Sequence, residues 1–301
     1  VSTTAAGLAP ARYTWGGDEF LFVEISEAMS LAANFKVMSL ARALADAALE
    51  GVVDICPANA SLLVRFNPDL IRPEVLEERV RELEARLEGA GQARLETRII
   101  EVPVWYQDPY TAEVAARFRE GYHQEPEGSD LDYAAKVNGL ADAAEFIRRH
   151  HEQPWIASMV GFVAGLPFLF QLVEQEKQLQ VPKYLSPRTD TPELTLGHGG
   201  CFSCIYSVRG AGGYQMFGVV AAPIFDPSQR LEDFADFMVF FRPGDLVKFR
   251  PVEEAEYRRI KDEVAAGTFR YRQAPVTFDL DAALADPEGY NRKILEALNG
   301  H

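Results

Sequence analysis

Five histidines, three cysteines and one glycine-rich stretch hold most of the chemistry this chain of 301 residues can offer. Cys201-Phe202-Ser203-Cys204 has the spacing of a redox pair or of half a zinc site. No second CxxC exists, and His198 and Cys56 could complete four ligands only if two domains met there. Buried, inert thiols on a strand explain the pair more simply, so no metal site is assigned. His150 and His151 end a helical pattern, where a cationic imidazole complements the negative end of the dipole. The same pair, ten residues before a glycine-rich run, could instead stand at a barrel mouth as titratable groups. Arg188, in Ser186-Pro187-Arg188-Thr189, carries a planar fork that suits a carboxylate or phosphate, and equally suits a surface turn.

These residues lie in or beside Gly161 to Gly218, where four Gly or Pro clusters alternate with short β-prone segments. Such corners let backbone approach a ligand or a second chain, although tight β turns need them too. Phe162, Phe168 and Tyr214 are core or ligand platform. There is no phosphate-binding Gly-x-x-x-x-Gly-Lys loop, no Gly-x-Ser-x-Gly elbow and no His-Glu-x-x-His. Gly197-His198-Gly199-Gly200 precedes a β-prone segment rather than a helix, which removes the context of a dinucleotide fingerprint.

Two domains fit the length, and 48% hydrophobic residues can give each a core. A net charge of −15 disfavours nucleic acid and anionic membrane as partners. Three cysteines fit a reducing cytoplasm, and no apolar run reaches the roughly 20 residues of a membrane span, so a soluble cytoplasmic protein is expected.

The elements that must position the candidate residues follow from periodicity. Phe20 to Ile25 reads as a strand, and Ser30 caps a helix running to about Leu49. Val52 to Cys56 and Ser61 to Phe66 read as strands. A helix from Pro73 carries Leu76, Val80, Leu83 and Leu87 in a stripe and stops at Gly89-Ala90-Gly91, before a strand from Leu95 to Val104. This β-α-β-β-α-β order predicts a ferredoxin-like α+β domain over residues 1–98, and the strand that joins it to the next domain could belong to either side. Helical patterns over 108–151 give way from Trp155 to β texture, predicting a barrel or sandwich over 99–252. A helical C-terminal extension is predicted over 253–301.

One set of residues resembles a known family. Gly161-Phe162-x-x-Gly165-x-Pro167-x-Leu169, Pro187-Arg188, Gly197, Ile205-Tyr206, Gly212-Gly213-Tyr214-Gln215-x-x-Gly218 and Arg242-Pro243-Gly244-Asp245-x-Val247-x-Phe249 are similar, in order, to the KipI family. That family is also known as allophanate hydrolase subunit one and as the B-type component of bacterial oxoprolinase. The resemblance implies an N-terminal α+β domain followed by a cyclophilin-like β-barrel, working beside a KipA-type partner. It implies a non-autonomous, cytoplasmic subunit of an ATP-dependent enzyme acting on a small carbonyl or amide substrate. ATP and Mg would lie on a partner or a shared interface, none being bound by this chain alone. A kinase-inhibiting regulator and an oxoprolinase or allophanate hydrolase subunit are the alternatives, and homo-oligomerisation stays open.

The sequence departs from the family where polar groups are expected. Phe202 replaces an amide, Val219 and Val220 replace a cation and a hydroxyl, and Leu166 stands in a Pro-Gly-Phe-Pro motif. These apolar changes favour a hydrophobic substrate. Together with the C-terminal extension, they resemble the small subunit of biotin-independent aromatic ketone carboxylases such as acetophenone carboxylase. The expected catalytic residues are His150 and Arg188; the expected substrate-binding residues are Phe162, Gly165, Gly197, Gly200, Phe202 and Tyr214.

Overall fold

In the computed structural model of the chain, residues 8–88 and 94–300 are described. The helix stop expected at Gly89-Ala90-Gly91 lies outside them. Two units form, Val1–Leu95 with Phe278–Ala285, and Glu96–Thr277 with Asp286–His301.

The first unit contains β1 (Arg12–Gly16), β2 (Phe20–Glu24), α1 (Leu31–Ala47), β3 (Val52–Pro57), β4 (Ser61–Phe66) and α2 (Pro73–Glu88). Period-2 alternation buries Leu21 and Val23 on β2 and Leu62, Val64 and Phe66 on β4, against Val37, Leu40 and Leu44 of α1 and Leu76 and Val80 of α2. Ser30 caps α1 as expected, its hydroxyl accepting from the Ala33 N–H at 3.1 Å. The antiparallel sheet runs β1-β2-β4-β3. The expected β-α-β-β core is therefore present, with β4 between β2 and β3. The fourth strand differs from the ferredoxin-like order. Its place beside β2 is taken by the N-terminal β1, whose Tyr13 hydroxyl donates to Glu84 at 2.6 Å, and the strand from Leu95 onward serves the second unit instead.

The second unit is a closed barrel. The elements that follow α2 in the chain are β5 (Arg94–Tyr106), α3 (Pro109–Arg117), α4 (Asp130–Val137), α5 (Ala143–Glu152), β6 (Trp155–Val160), β7 (Pro167–Gln171), β8 (Arg188–Thr191), β9 (Thr195–Gly199), β10 (Phe202–Ile205), β11 (Gly210–Gly212), β12 (Gln215–Val220), β13 (Leu246–Pro251), α6 (Glu254–Ala265), β14 (Gln273–Asp279), α7 (Leu280–Ala285) and α8 (Pro287–Glu296). Strands run β12-β9-β10-β7-β6-β13-β5, and β12 pairs back on β5 to shut the ring; β14 adds to the free part of β5, and β8 with β11 forms a separate two-stranded ribbon. At the seam Gly218 faces Tyr106, and a Cβ there would run into the Trp105 carbonyl, so the close approach of two backbones demands glycine.

Residues 253–301 do not form a separate helical extension. Tyr257 and Ile260 of α6 belong to the barrel core, β14 joins the sheet, and α8 is held by Asn291, whose amide donates to Leu172 O at 2.6 Å. Phe278–Ala285, the end of β14 with α7, falls to the first unit.

Candidate functional site

Strand alternation sorts the candidate residues between two sides of the barrel wall. On β10, Ser203 and Ile205 point into the lumen while Phe202 and Cys204 point out; on β9, Leu196 and His198 point in while Gly197 and Gly199 face out. The outward side carries a cleft of about 310 Å³ walled by Phe168, Tyr184, Tyr206 and Tyr214, with Lys183 and Phe162 at its edge. Bare glycines make room for its walls. A Cβ on Gly197 would press on Tyr206 and Tyr214, one on Gly199 would overlap the Tyr214 ring, and one on Gly212 would overlap the Tyr206 phenol. Gly197 thus serves the site by seating two tyrosines.

Arg188 lies behind the tyrosines with no solvent exposure. Its guanidinium donates to Tyr214 O at 2.8 Å and to the Thr191 hydroxyl at 3.3 Å, and sits 4.4 Å from the centre of the Tyr184 ring. Among the described residues these hydrogen-bond partners are neutral. A second network backs the same wall. Tyr184 donates to Asp130 at 2.8 Å, and Asp130 also accepts from Met216 N at 2.8 Å and pairs with the buried Arg119. Burial pushes the Tyr184, Tyr206 and Tyr214 phenols above their ordinary range, so all three are neutral at physiological pH.

An adjoining cleft of about 550 Å³ opens beside the Gly161–Gly165 corner, lined also by Phe237, Phe241, Arg242 and Pro243. Gly165 adopts φ 77°, and a Cβ there would approach Phe225 Cβ at 3.2 Å. Phe162 borders both clefts, 72% exposed and held at φ 72°. A bulky residue in the left-handed region costs on the order of 1–3 kcal/mol, and such outliers cluster at ligand sites.

Other expectations fall elsewhere. Phe202 packs edge-on to Phe168 at 6.0 Å, behind the cleft wall. Gly200 takes φ 62° at the turn into β10 and lines neither cleft. Cys201 and Cys204 are free thiols whose pKa burial raises, which makes them poor nucleophiles; among the described residues no group of three His, Cys, Asp or Glu is placed to hold a metal.

His150 is the largest displacement from expectation. Near the end of α5 it touches Tyr106, Trp155, His198, Ser203, Phe217 and Phe249, which belong to six of the seven barrel strands. Only a lumen position can do that, so His150 plugs the barrel instead of lining a cleft. Ser203 Oγ donates to Gly197 O at 3.0 Å and accepts from His150 Nε2 at 3.1 Å; Nδ1 then accepts from the Tyr106 hydroxyl at 2.9 Å. Burial holds its pKa well below the ordinary value, and the imidazole is neutral. His198 shares the lumen, with Nε2 donating to Leu179 O and Gly200 O, and burial pushes its pKa down to about 4.

This has a pH consequence. A histidine that protonates more readily unfolded, near 6.5, than folded, near 4, leaves stability intact above pH 6.5 and removes it as pH falls through that window. For His198 the loss is on the order of 3 kcal/mol by pH 4. Melting temperature followed from pH 7 to 4 should fall steeply, and His198→Gln should flatten the slope; parallel profiles would show that His198 is not the group involved.

Sequence reasoning passes over Lys183, Tyr184 and Asp130 as site groups and gives Tyr206 no role. Each reaches the site through packing between distant strands and helices, and none carries a local signature.

A closed barrel bearing a tyrosine-walled cleft over a buried arginine thus follows from the chain. It matches the carboxyltransferase domain, subdomain C and D, over residues 11–234, and belongs to that family. Two bacterial relatives, both B-type components of 5-oxoprolinase, are similar along nearly their whole length. The one from Bacillus subtilis is 26% identical over 82% of this chain and 95% of that protein, and the one from Escherichia coli O157:H7 is 27% identical over 79% and 94%. The urea amidolyase of K. lactis has the same fold at a TM-score of 0.82 and 23% identity, over 96% of this chain. The chain spans 18% of that much longer protein and 26% of Kluyveromyces lactis urea carboxylase, also at 0.82. Among the described residues no helix is long and apolar enough to cross a membrane.

Proposed function

We propose that this chain is a non-autonomous part of an ATP-dependent enzyme that acts on a carbonyl or amide substrate, most simply a carboxylase of aromatic ketones. The tyrosine cleft carries this reading. Its apolar walls suit an aromatic body, and Arg188 behind them supplies the positive field that a developing enolate or amide oxyanion needs. Partners of the KipA or carboxylase-core type would bind ATP and Mg, alone or at a shared interface. Phe162, Leu185, Phe237 and Met238 are exposed apolar side chains on or next to segments lining the two clefts, which supports a partner closing over them. Three free cysteines fit a cytoplasmic setting.

A second reading, a cyclic amide such as 5-oxoproline as substrate, is favoured by the names of the two bacterial relatives. ATP turnover by the chain alone and by the complex isolated from its host tests both. The chain alone should be inactive. Turnover by the complex should depend on acetophenone with bicarbonate under the first reading and on 5-oxoproline under the second; full activity of the isolated chain would overturn the idea of a dependent component.

A further inference from the structure

The Tyr206 hydroxyl stands where two independent features of the cleft converge. It lies over the bare Cα of Gly212, and Gly212 faces Arg188 across the β8–β11 ribbon. The phenol therefore sits beside a guanidinium that is fully buried and hydrogen-bonds only neutral groups among the described residues. Buried guanidiniums are ordinarily matched by carboxylates, because an unmatched charge pays the full penalty of leaving water. Among the described residues no carboxylate matches this one, and the cleft lies directly on the other side of Tyr206. Lys183 stands at the cleft edge with its ammonium 5.3 Å from the Tyr214 ring centre and, among the described residues, no ion pair.

We propose that Tyr206 is the hydrogen-bond donor of this cleft, holding an anionic oxygen of a small planar aromatic ligand, a carboxylate or an enolate, with Arg188 behind it and Lys183 at the rim balancing the charge. The phenol suits donation rather than proton abstraction. Burial keeps it protonated, while Arg188 opposes that push and draws electron density from its oxygen. The tyrosine walls take the aromatic body, and the oxygen meets the hydroxyl.

This deepens the reading of the cleft as a substrate wall, and rests on it. The test needs neither ATP nor a partner, so failure of the enzyme assignment and failure of this one are separable. The full chain is titrated with benzoate, and with toluene as the oxygen-free control, by NMR. Benzoate should bind with a dissociation constant on the order of 1 mM. Tyr206→Phe keeps the ring and should weaken benzoate roughly tenfold to a hundredfold, the worth of a hydrogen bond to a charged group, with toluene binding and melting temperature unchanged. Lys183→Met should weaken benzoate by a smaller factor. Equal benzoate affinity in Tyr206→Phe, or no saturable benzoate binding by the unmodified chain, overturns the proposal. A parallel loss of toluene binding overturns it too, because it marks Tyr206 as a packing group only.

Discussion

His150→Ala is expected to destabilise the barrel by about 3–5 kcal/mol, the range of a large buried ring removed together with its polar partners. The imidazole stacks on Phe249 at 5.0 Å and lies 4.8 Å from Trp155, so truncation opens a void in the lumen. It also strands two buried hydroxyls, Tyr106 and Ser203, although Ser203 keeps Gly197 O. For a unit of this size the change corresponds to roughly 10 °C in melting temperature. His150→Gln, which retains hydrogen-bonding groups, should lose less. A catalytic histidine at an open cleft would behave otherwise, with activity abolished and melting temperature nearly unchanged. Urea unfolding of the two variants separates these outcomes.

Asp130→Ala should be comparably costly, about 3–5 kcal/mol, because removing one partner of a buried ion pair leaves the other charge uncompensated. That other charge is Arg119, whose side chain is only 7% exposed. The same carboxylate accepts from the Tyr184 hydroxyl and from Met216 N, so three groups lose their acceptor at once. Asp130→Asn keeps one acceptor oxygen and should cost less, on the order of 1–3 kcal/mol. Its more telling effect concerns the cleft. With Tyr184 held by one oxygen at most in place of two, the ring that covers Arg188 loosens, and benzoate binding should weaken while the barrel still melts cooperatively. If both variants unfold within about 1 kcal/mol of the unmodified chain, the network contributes nothing of the kind described.

Much of this architecture is readable in the residues, and the failures have physical reasons. Alternation marks β2 and β4, and Ser30 marks the start of α1, because these are local signals. The strand Arg94–Tyr106 reads as fitting either sheet, since its apolar run suits both and only pairing partners decide for the barrel. Arg12–Gly16 escapes notice altogether: its Arg-Tyr-Thr-Trp pattern is mostly exposed and leaves little alternation to read. At the site, Phe162, Tyr214 and Arg188 are legible from their setting among glycines and prolines. His150 has the right neighbourhood in sequence but the wrong side of the wall, because the direction in which α5 delivers its last turn is a tertiary fact. Tyr206, Lys183 and Asp130 gain meaning only once the segments before β8 and after β10 pack with α4 around the cleft. Gly197 reads as a ligand contact, and with Gly199 and Gly212 it makes room for tyrosine rings.

A ligand in the tyrosine cleft would cover Lys183, which therefore reports on its occupancy directly. In the complex isolated from its host, the rate at which an amine-reactive acylating reagent labels Lys183 can be followed by peptide mass spectrometry, with the exposed Lys293 as reference. Benzoate, acetophenone or 5-oxoproline at saturating concentration should slow labelling of Lys183 several-fold and leave Lys293 unchanged. Labelling of Lys183 at one rate with all three and with none would contradict the claim.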